Sequence, residues 1–436
     1  MASTLKNIIV VGGSYVGKAT AQELAKIIPE THRVLLIEPH SHFHHLFAFP
    51  RFAILPGNEH KAFIPYTNLF SSLSPSPTTP TRHSVIPARV LAVHPHHVLL
   101  DREWPSADAG VGTGGTNELP FDYLVVATGT KLSEPAGMKD NEKAASVTYL
   151  QKHQSDIKKA KSILIAGGGA VGVQMATDLK EFYPEKEVTV VQSRPLLMPQ
   201  YHEALHGLIK ERFDELGIKF ITGSRVQIPP TGFPTTTPFP VSLTNGTPLP
   251  DKYDFVILAT GQTPNTELLT SLPASPSQES SPQTTTHSPL LNPLNGFIRI
   301  RPTMQFQDPQ YPHLFAVGDI ADTGLRKAAR PGSMQAGVVA RNINALIRGA
   351  KGSSEAEGKL EEFPRQPAGI HLTLGLVGFV LVVIQKYNVL FRNPDTAAGQ
   401  TEPSVTKRDD GREDMGVEAW WERLGVKING PQQYHL

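Results

Sequence analysis

Twice in this chain an apolar strand runs into a glycine-rich turn that opens a helix, and few local patterns limit a fold so tightly. The first instance reads Ile8-Ile9-Val10-Val11-Gly12-Gly13-Ser14-Tyr15-Val16-Gly17, and the second reads Ile163-Leu164-Ile165-Ala166-Gly167-Gly168-Gly169-Ala170-Val171-Gly172. In such a turn the first glycine permits the bend, the middle position lets backbone approach a pyrophosphate, and the last lets helix pack on strand. The helix amino terminus then faces the phosphate charge. Gly167, Gly169 and Gly172 complete the pattern. In the first turn Gly12 and Gly17 hold the outer places and Ser14 the middle one, a residue small enough to keep the approach and able to donate to phosphate. Gly12, Gly13, Ser14, Tyr15, Val16 and Gly17 are therefore expected at one dinucleotide, and the second turn at another.

The flanking residues extend the pattern into two copies of one unit. Strand 7–11, helix 14–28 closed by Pro29 and strand 33–38 are matched by strand 162–166, helix 169–183 before Pro184 and strand 188–192. Strand, helix and strand in succession predict the right-handed crossover of a parallel sheet. Two later segments also resemble each other, Phe121-Asp122-Tyr123-Leu124-Val125-Val126-Ala127-Thr128-Gly129 and Tyr253-Asp254-Phe255-Val256-Ile257-Leu258-Ala259-Thr260-Gly261. The duplication is therefore of domain size. Segments 71–82 and 269–292, rich in Ser, Pro and Thr, and the glycine-rich 105–118 lack the apolar content to pack, and read as surface insertions.

The two copies differ where a ribose would lie. Glu38 ends the second strand of the first unit, where a carboxylate accepts hydrogen bonds from a ribose diol. The corresponding residue is Gln192, followed by Ser193 and Arg194. A neutral amide does not repel a 2′-phosphate, and a guanidinium ~4 Å from one at an effective dielectric of about 20 is worth about 4 kcal/mol before screening. An exposed loop arginine is an equal reading. NADH and NADPH both remain open.

Composition removes other chemistries. At 436 residues the chain is too long for one ordinary domain, and its 39% hydrophobic content is enough for a sizeable core. It has no cysteine, which excludes disulfide frameworks, thiolate nucleophiles, iron–sulfur ligation and cysteine-based zinc sites. A net charge of +1 argues against a nucleic-acid surface. His40, His42, His44 and His45 have no closed zinc spacing, and no catalytic triad or carboxylate pair stands out. Met1 to Lys6 run straight into the first strand and residue 2 is alanine, so neither a presequence nor myristoylation is expected, and the cytoplasm is the default location.

A further strand, His313-Leu314-Phe315-Ala316-Val317-Gly318-Asp319, ends in Gly-Asp. With a leading glycine turn, an Ala-Thr-Gly strand, a second glycine unit and another Ala-Thr-Gly strand before it, the chain resembles the two-dinucleotide flavoprotein disulfide reductase superfamily. The resemblance implies an α/β fold of two Rossmann-type domains with the NAD(P) domain inserted in the FAD domain, plus a small C-terminal α+β region. It assigns 1–135 and 266–350 to FAD, 136–265 to NADH or NADPH, and 351–436 to a C-terminal domain. It further implies that Asp319, beside Gly318, bonds the flavin's ribityl chain, and that Ala127, Thr128, Gly129 and Gly261 border the cofactors.

Within that superfamily, Phe43-His44-His45 with the downstream Arg51, the stretch Ala62-Phe63-Ile64-Pro65-Tyr66, and Gly369-Ile370-His371-Leu372-Thr373-Leu374-Gly375 are similar to the apoptosis-inducing-factor-like branch. That likeness implies that Arg51 contacts FAD, that Val90 packs by the adenine, and that electrons pass from NAD(P)H through FAD to a quinone. With no cysteine pair, they must leave from the flavin itself. The alternatives are a flavoenzyme of this fold reducing a soluble metabolite or redox protein, and a dinucleotide-binding signalling protein with little turnover.

The apolar stretch Leu372–Ile384 is shorter than the ~20 residues of a membrane span, so no transmembrane segment is expected and buried C-terminal strands are. Val417, Trp420, Trp421 and Leu424 fall at helical spacing. Their apolar face is expected to pack on the protein, with peripheral docking at a membrane or lipid-droplet surface as the alternative.

Overall fold

The computed structural model describes residues 5–73, 81–105, 115–234, 236–275, 289–327, 329–349, 360–364, 367–375, 379–380, 383–384, 388–408 and 412–436. In chain order the elements that position the site are β1 (Lys6–Val11), α1 (Tyr15–Ile27), β2 (His32–Ile37), β3 (Ser84–Ile86) and β4 (Tyr123–Val126). Next come β5 (Ser162–Ala166), α2 (Ala170–Phe182), β6 (Glu187–Val191), β7 (Lys219–Ile221) and β8 (Phe255–Leu258). The last are β9 (Leu314–Ala316), α3 (Ala329–Gly349), β10 (Gly369–Leu372), β11 (Asn388–Arg392), β12 (Ser404–Arg408) and α4 (Glu418–Arg423).

Two parallel sheets result. The first runs β9-β4-β1-β2-β3 and the second β8-β5-β6-β7, so four strands recur in the same order. Registers agree to the residue: Val11 pairs with Ile37 and Val126, and Ala166 pairs with Val191 and Leu258. Both central strands are continuous apolar runs because both faces are covered, which is why no alternation shows in them. In the chain, the second sheet lies between β4 and β9 of the first.

The carboxy-terminal residues join both cores. The β10-β11-β12 antiparallel sheet delivers Leu372, Val389 and Phe391 to the core of the second sheet. Val417, Trp421 and Leu424 pack wholly buried into the core of the first. The apolar face expected on this helix is therefore used by the fold at Val417, Trp421 and Leu424, while Trp420 is only partly buried. Among the described residues no helix is long and apolar enough to cross a membrane.

Much of the three insertions, 74–80, 106–114 and 276–288, lies outside the described residues. Two flanks depart from expectation: Leu269, Leu272 and Leu290 are buried in the core of the first sheet, and Gly115–Pro120 forms a strand antiparallel to His97–Pro105. A main-chain ladder needs few apolar side chains, and only Leu119 of that strand is buried.

Trp421 is completely enclosed, its indole N–H donating to the Lys61 carbonyl at 2.9 Å. Trp421→Ala is expected to destabilise the protein by about 3–5 kcal/mol, read as a lowered urea midpoint.

Candidate functional site

The two glycine turns are built alike, atom for atom. The N–H of Gly12 donates to Ile37 O at 2.9 Å, and that of Gly167 to Val191 O at 2.8 Å. Both glycines take left-handed backbone, φ +101° and +123°, and a β-carbon would strike the carbonyl of Ala127 or Ala259. One helical turn later, a β-carbon on Gly17 or Gly172 would collide with the carbonyl of Gly12 or Gly167. By contrast, a β-carbon on Gly169 would meet nothing within 4 Å. That opening, at a helix amino terminus with unsatisfied N–H groups, is what an approaching pyrophosphate requires.

A single cleft of about 3260 Å³ serves both turns, several times the volume of a one-ligand pocket. Ser14, Tyr15 and Val16 line it from the first turn, and Ala170 and Val171 from the second. Glu38, Val90, Ala127, Thr128, Gly129, Gly261, Gly318 and Asp319 also border it. Gly13, Gly17, Gly167 and Gly172 lie behind the wall and shape it. Gln192 is buried beside the second turn, while Ser193 and Arg194 sit at a smaller pocket beyond.

Glu38 is tied down before any ligand arrives. It accepts from the Gly13 N–H at 2.5 Å and from His40 through the ring Nδ1 at 2.5 Å and the backbone N–H at 3.0 Å. Burial alone would raise its pKa, but these hydrogen bonds hold it below the ordinary carboxylate value. Asp319 is the opposite case. Its carboxylate makes no side-chain hydrogen bond among the described residues, and burial raises its pKa against the opposing charge of Lys327. The adjacent Gly318 N–H is taken instead by Gln335 Oε1 at 2.7 Å. An orphaned acceptor on the cleft wall fits the hydroxyls of a flavin side chain, and a capping role for Asp319 is absent. The chain's residues fit FAD at the first turn and NAD(P)H at the second.

Arg51 is elsewhere. The likeness placed it at FAD, yet its guanidinium is fully buried and off the cleft wall, held by Asp178 of α2 at 2.8 and 3.0 Å and by the carbonyls of Arg412 and Gly375. It joins the first unit to the second and to the carboxy-terminal region, and four of its five N–H donors are already taken.

Other residues enter that no motif marks. Asn265 clamps the two connections between sheets, donating to Thr128 O at 2.9 Å while its own carbonyl accepts from Thr128 Oγ1 at 2.8 Å. Tyr15 Oη is hydrogen-bonded to His45 Nδ1 at 2.8 Å and accepts from the Phe47 N–H at 3.4 Å. Trp420 of α4 stands 5.0 Å from the Tyr15 ring and 5.3 Å from that of His45, with exposed Phe47 4.8 Å from Tyr15. These aromatics form one wall of the cleft. Burial pushes Lys18, beneath Trp420, down to about 8, with the Arg423 and Lys26 charges acting the same way. In the sequence Tyr15 belongs to the first glycine turn, His45 to the histidine cluster and Trp420 to the helical face at 417–424, and among the described residues no group of three or more ligand side chains could hold a metal.

The model of the pyridine nucleotide-disulphide oxidoreductases matches residues 6–340, which takes in both sheets and the Gly318-Asp319 turn. The chain belongs to this family. An oxidoreductase of it without a single cysteine cannot relay electrons through a dithiol. Among its relatives, Fe-regulated protein 8 of Mycosarcoma maydis is 32% identical across 97% of the chain and 96% of its own length. Ferroptosis suppressor protein 1 of Mus musculus is 26% identical across 77% and 80%, and places the chain in the apoptosis-inducing-factor-like branch. The sulfide:quinone oxidoreductase of Aquifex aeolicus shares the fold, with a TM-score of 0.67 at 17% identity over 98% of this chain and 94% of that one.

Two tests follow from the buried polar groups. Arg51→Met strands Asp178 and should cost about 3–5 kcal/mol in urea denaturation, while Arg51→Met/Asp178→Leu recovers most of the loss. The second concerns acid. Burial brings His45 down to about 4, only partly offset by the Met415 carbonyl, and takes His44 well below its usual value. Above pH 6.5 neither contributes. Between 6.5 and 4 the unfolded chain binds protons that the fold refuses, so stability should fall, by about 3 kcal/mol from His45 alone. His45→Gln should flatten the pH dependence of the urea midpoint; an unchanged slope contradicts this assignment.

Proposed function

We propose that this protein is an FAD-dependent NAD(P)H oxidoreductase that delivers electrons to a quinone-type acceptor. The observation that carries the reading is the single cleft onto which two equivalent dinucleotide cradles open. Residues 1–135 and 266–350 are assigned to FAD, 136–265 to the nicotinamide nucleotide, and 351–436 to a domain that closes the acceptor side. When bound, the flavin supplies the two-electron relay between nicotinamide and acceptor.

The chain's own residues do the rest. Ser14 and the N–H groups of α1 receive the FAD pyrophosphate, Glu38 accepts from the adenosine ribose, and Asp319 accepts from the ribityl hydroxyls. The turn at Gly167–Gly172 receives the second pyrophosphate. Asn265 sets the two halves at a constant separation, which hydride transfer needs to be about 3–3.5 Å between reacting atoms. Tyr15, Phe47 and Trp420 offer aromatic faces to a flat acceptor ring. Quinone reduction by a solved neighbour of the same fold supports the acceptor class.

Anaerobic addition of NADH or NADPH should bleach the flavin absorbance of the purified yellow protein, and ubiquinone analogues should restore it faster than soluble carriers do. Trp420→Ala should raise KM for the quinone about three- to tenfold, the worth of an aromatic contact. Absence of bleaching with both nucleotides removes the proposal, and faster reoxidation by a soluble carrier changes the acceptor.

A further inference from the structure

Beyond the main cleft lies a second pocket of about 260 Å³, too small for a whole ligand and of a size for one group of it. Ser193 and Arg194 line it from the end of β6, Ser224 and Arg225 from the end of β7, and Asn245 from a following turn. These strands are parallel neighbours, Val191 pairing with Ile221, so their carboxyl ends deliver both loops to one place. Backbone hydrogen bonds join the loops: Gly223 N–H to Arg194 O at 2.9 Å, Ser224 N–H to Gln192 O at 3.1 Å, and Thr244 N–H to Arg225 O at 2.8 Å. Arg225 lines the main cleft as well, so the pocket is an annexe of it.

Its chemistry is that of an anion receptor. Two arginines and two serines line it, and among the described residues no carboxylate does. Among the described residues neither Arg194 nor Arg225 forms an ion pair or a side-chain hydrogen bond. The comparison with the first unit says which anion. There Glu38 accepts from the Gly13 N–H; here Gln192 Oε1 accepts from the Gly168 N–H at 3.2 Å, in the same place and with no charge. A carboxylate at that point selects a free ribose diol and repels a phosphate on it, and its replacement by an amide removes that repulsion.

We propose that Ser193, Arg194, Ser224 and Arg225 bind a phosphate on the 2′-oxygen of the adenosine ribose, so that NADPH is the preferred hydride donor. This rests on the reading of the second glycine turn as the nicotinamide nucleotide site. Guanidiniums suit the role because their donors match phosphate oxygens in pairs.

Calorimetric titration of the FAD-loaded protein with NADPH, NADH, adenosine 2′,5′-bisphosphate and adenosine 5′-monophosphate tests this without any turnover. NADPH should bind about tenfold or more tightly than NADH, and the bisphosphate should exceed the monophosphate by a similar factor. Arg194→Ala/Arg225→Ala should bring NADPH to the affinity of NADH, and Gln192→Glu should reverse the order. Equal binding of NADPH and NADH by the unaltered protein, or a preference that survives loss of both arginines, overturns the 2′-phosphate site and leaves the oxidoreductase reading standing. Failure of all four ligands to bind removes both.

Discussion

Each glycine turn leaves no room for a β-carbon where its helix meets its strand, and the rest of the structure is arranged around those crossings. Where α1 crosses β1 and α2 crosses β5, the backbone at Gly17 and Gly172 lies against the carbonyls of Gly12 and Gly167. That approach aims each helix amino terminus along the end of its sheet, toward the cleft. Any side chain at these positions would lift the helix off the strand and withdraw the N–H groups from where phosphate charge must sit. The parallel strand order, the shared register and the location of the cleft all follow from this geometry.

Having two such units creates a second requirement, that they keep a constant relation. The structure meets it with polar groups whose bonds cross between the units. Asn265 donates from its side-chain amide to the Thr128 carbonyl and accepts from Thr128 Oγ1 at its main-chain carbonyl, and Arg51 directs its donors to Asp178 and two carbonyls. The carboxy-terminal residues add apolar weight on both sides, with Phe391 in one core and Trp421 in the other. A buried guanidinium with all its partners is tolerable, and without them it would not be.

The chemistry-bearing wall of the cleft illustrates where reading from sequence reaches its limit. Glu38 and the glycines could be singled out because their spacing from a strand end is set by local geometry, whereas Asp319 was singled out by the family resemblance. Arg51 was misassigned because a likeness of motif does not say which way a side chain turns; here it turns inward to Asp178. Tyr15, His45, Phe47 and Trp420 meet across nearly the whole chain, and nothing in the periodicity of any one segment foretells it. Gln335 and Asn265 are similar cases, ordinary residues that matter because of which backbone group they reach.

By itself, the sequence determined the two strand–turn–helix units, their duplication, and the exclusion of thiol chemistry. These depend on residues near one another and on steric rules that hold wherever the chain goes. Tertiary structure alone decided that the apolar face of α4 is spent within the fold and leaves only Trp420 toward the cleft. It also decided that Arg51 is a strut, and that Arg194 has a companion in Arg225. Each of these depends on which distant surfaces pack together, and packing is settled by the burial of whole faces, a quantity no local stretch contains. The paired glycine turns fix where two helix amino termini open, and the packing around them fixes what lines the cleft they share.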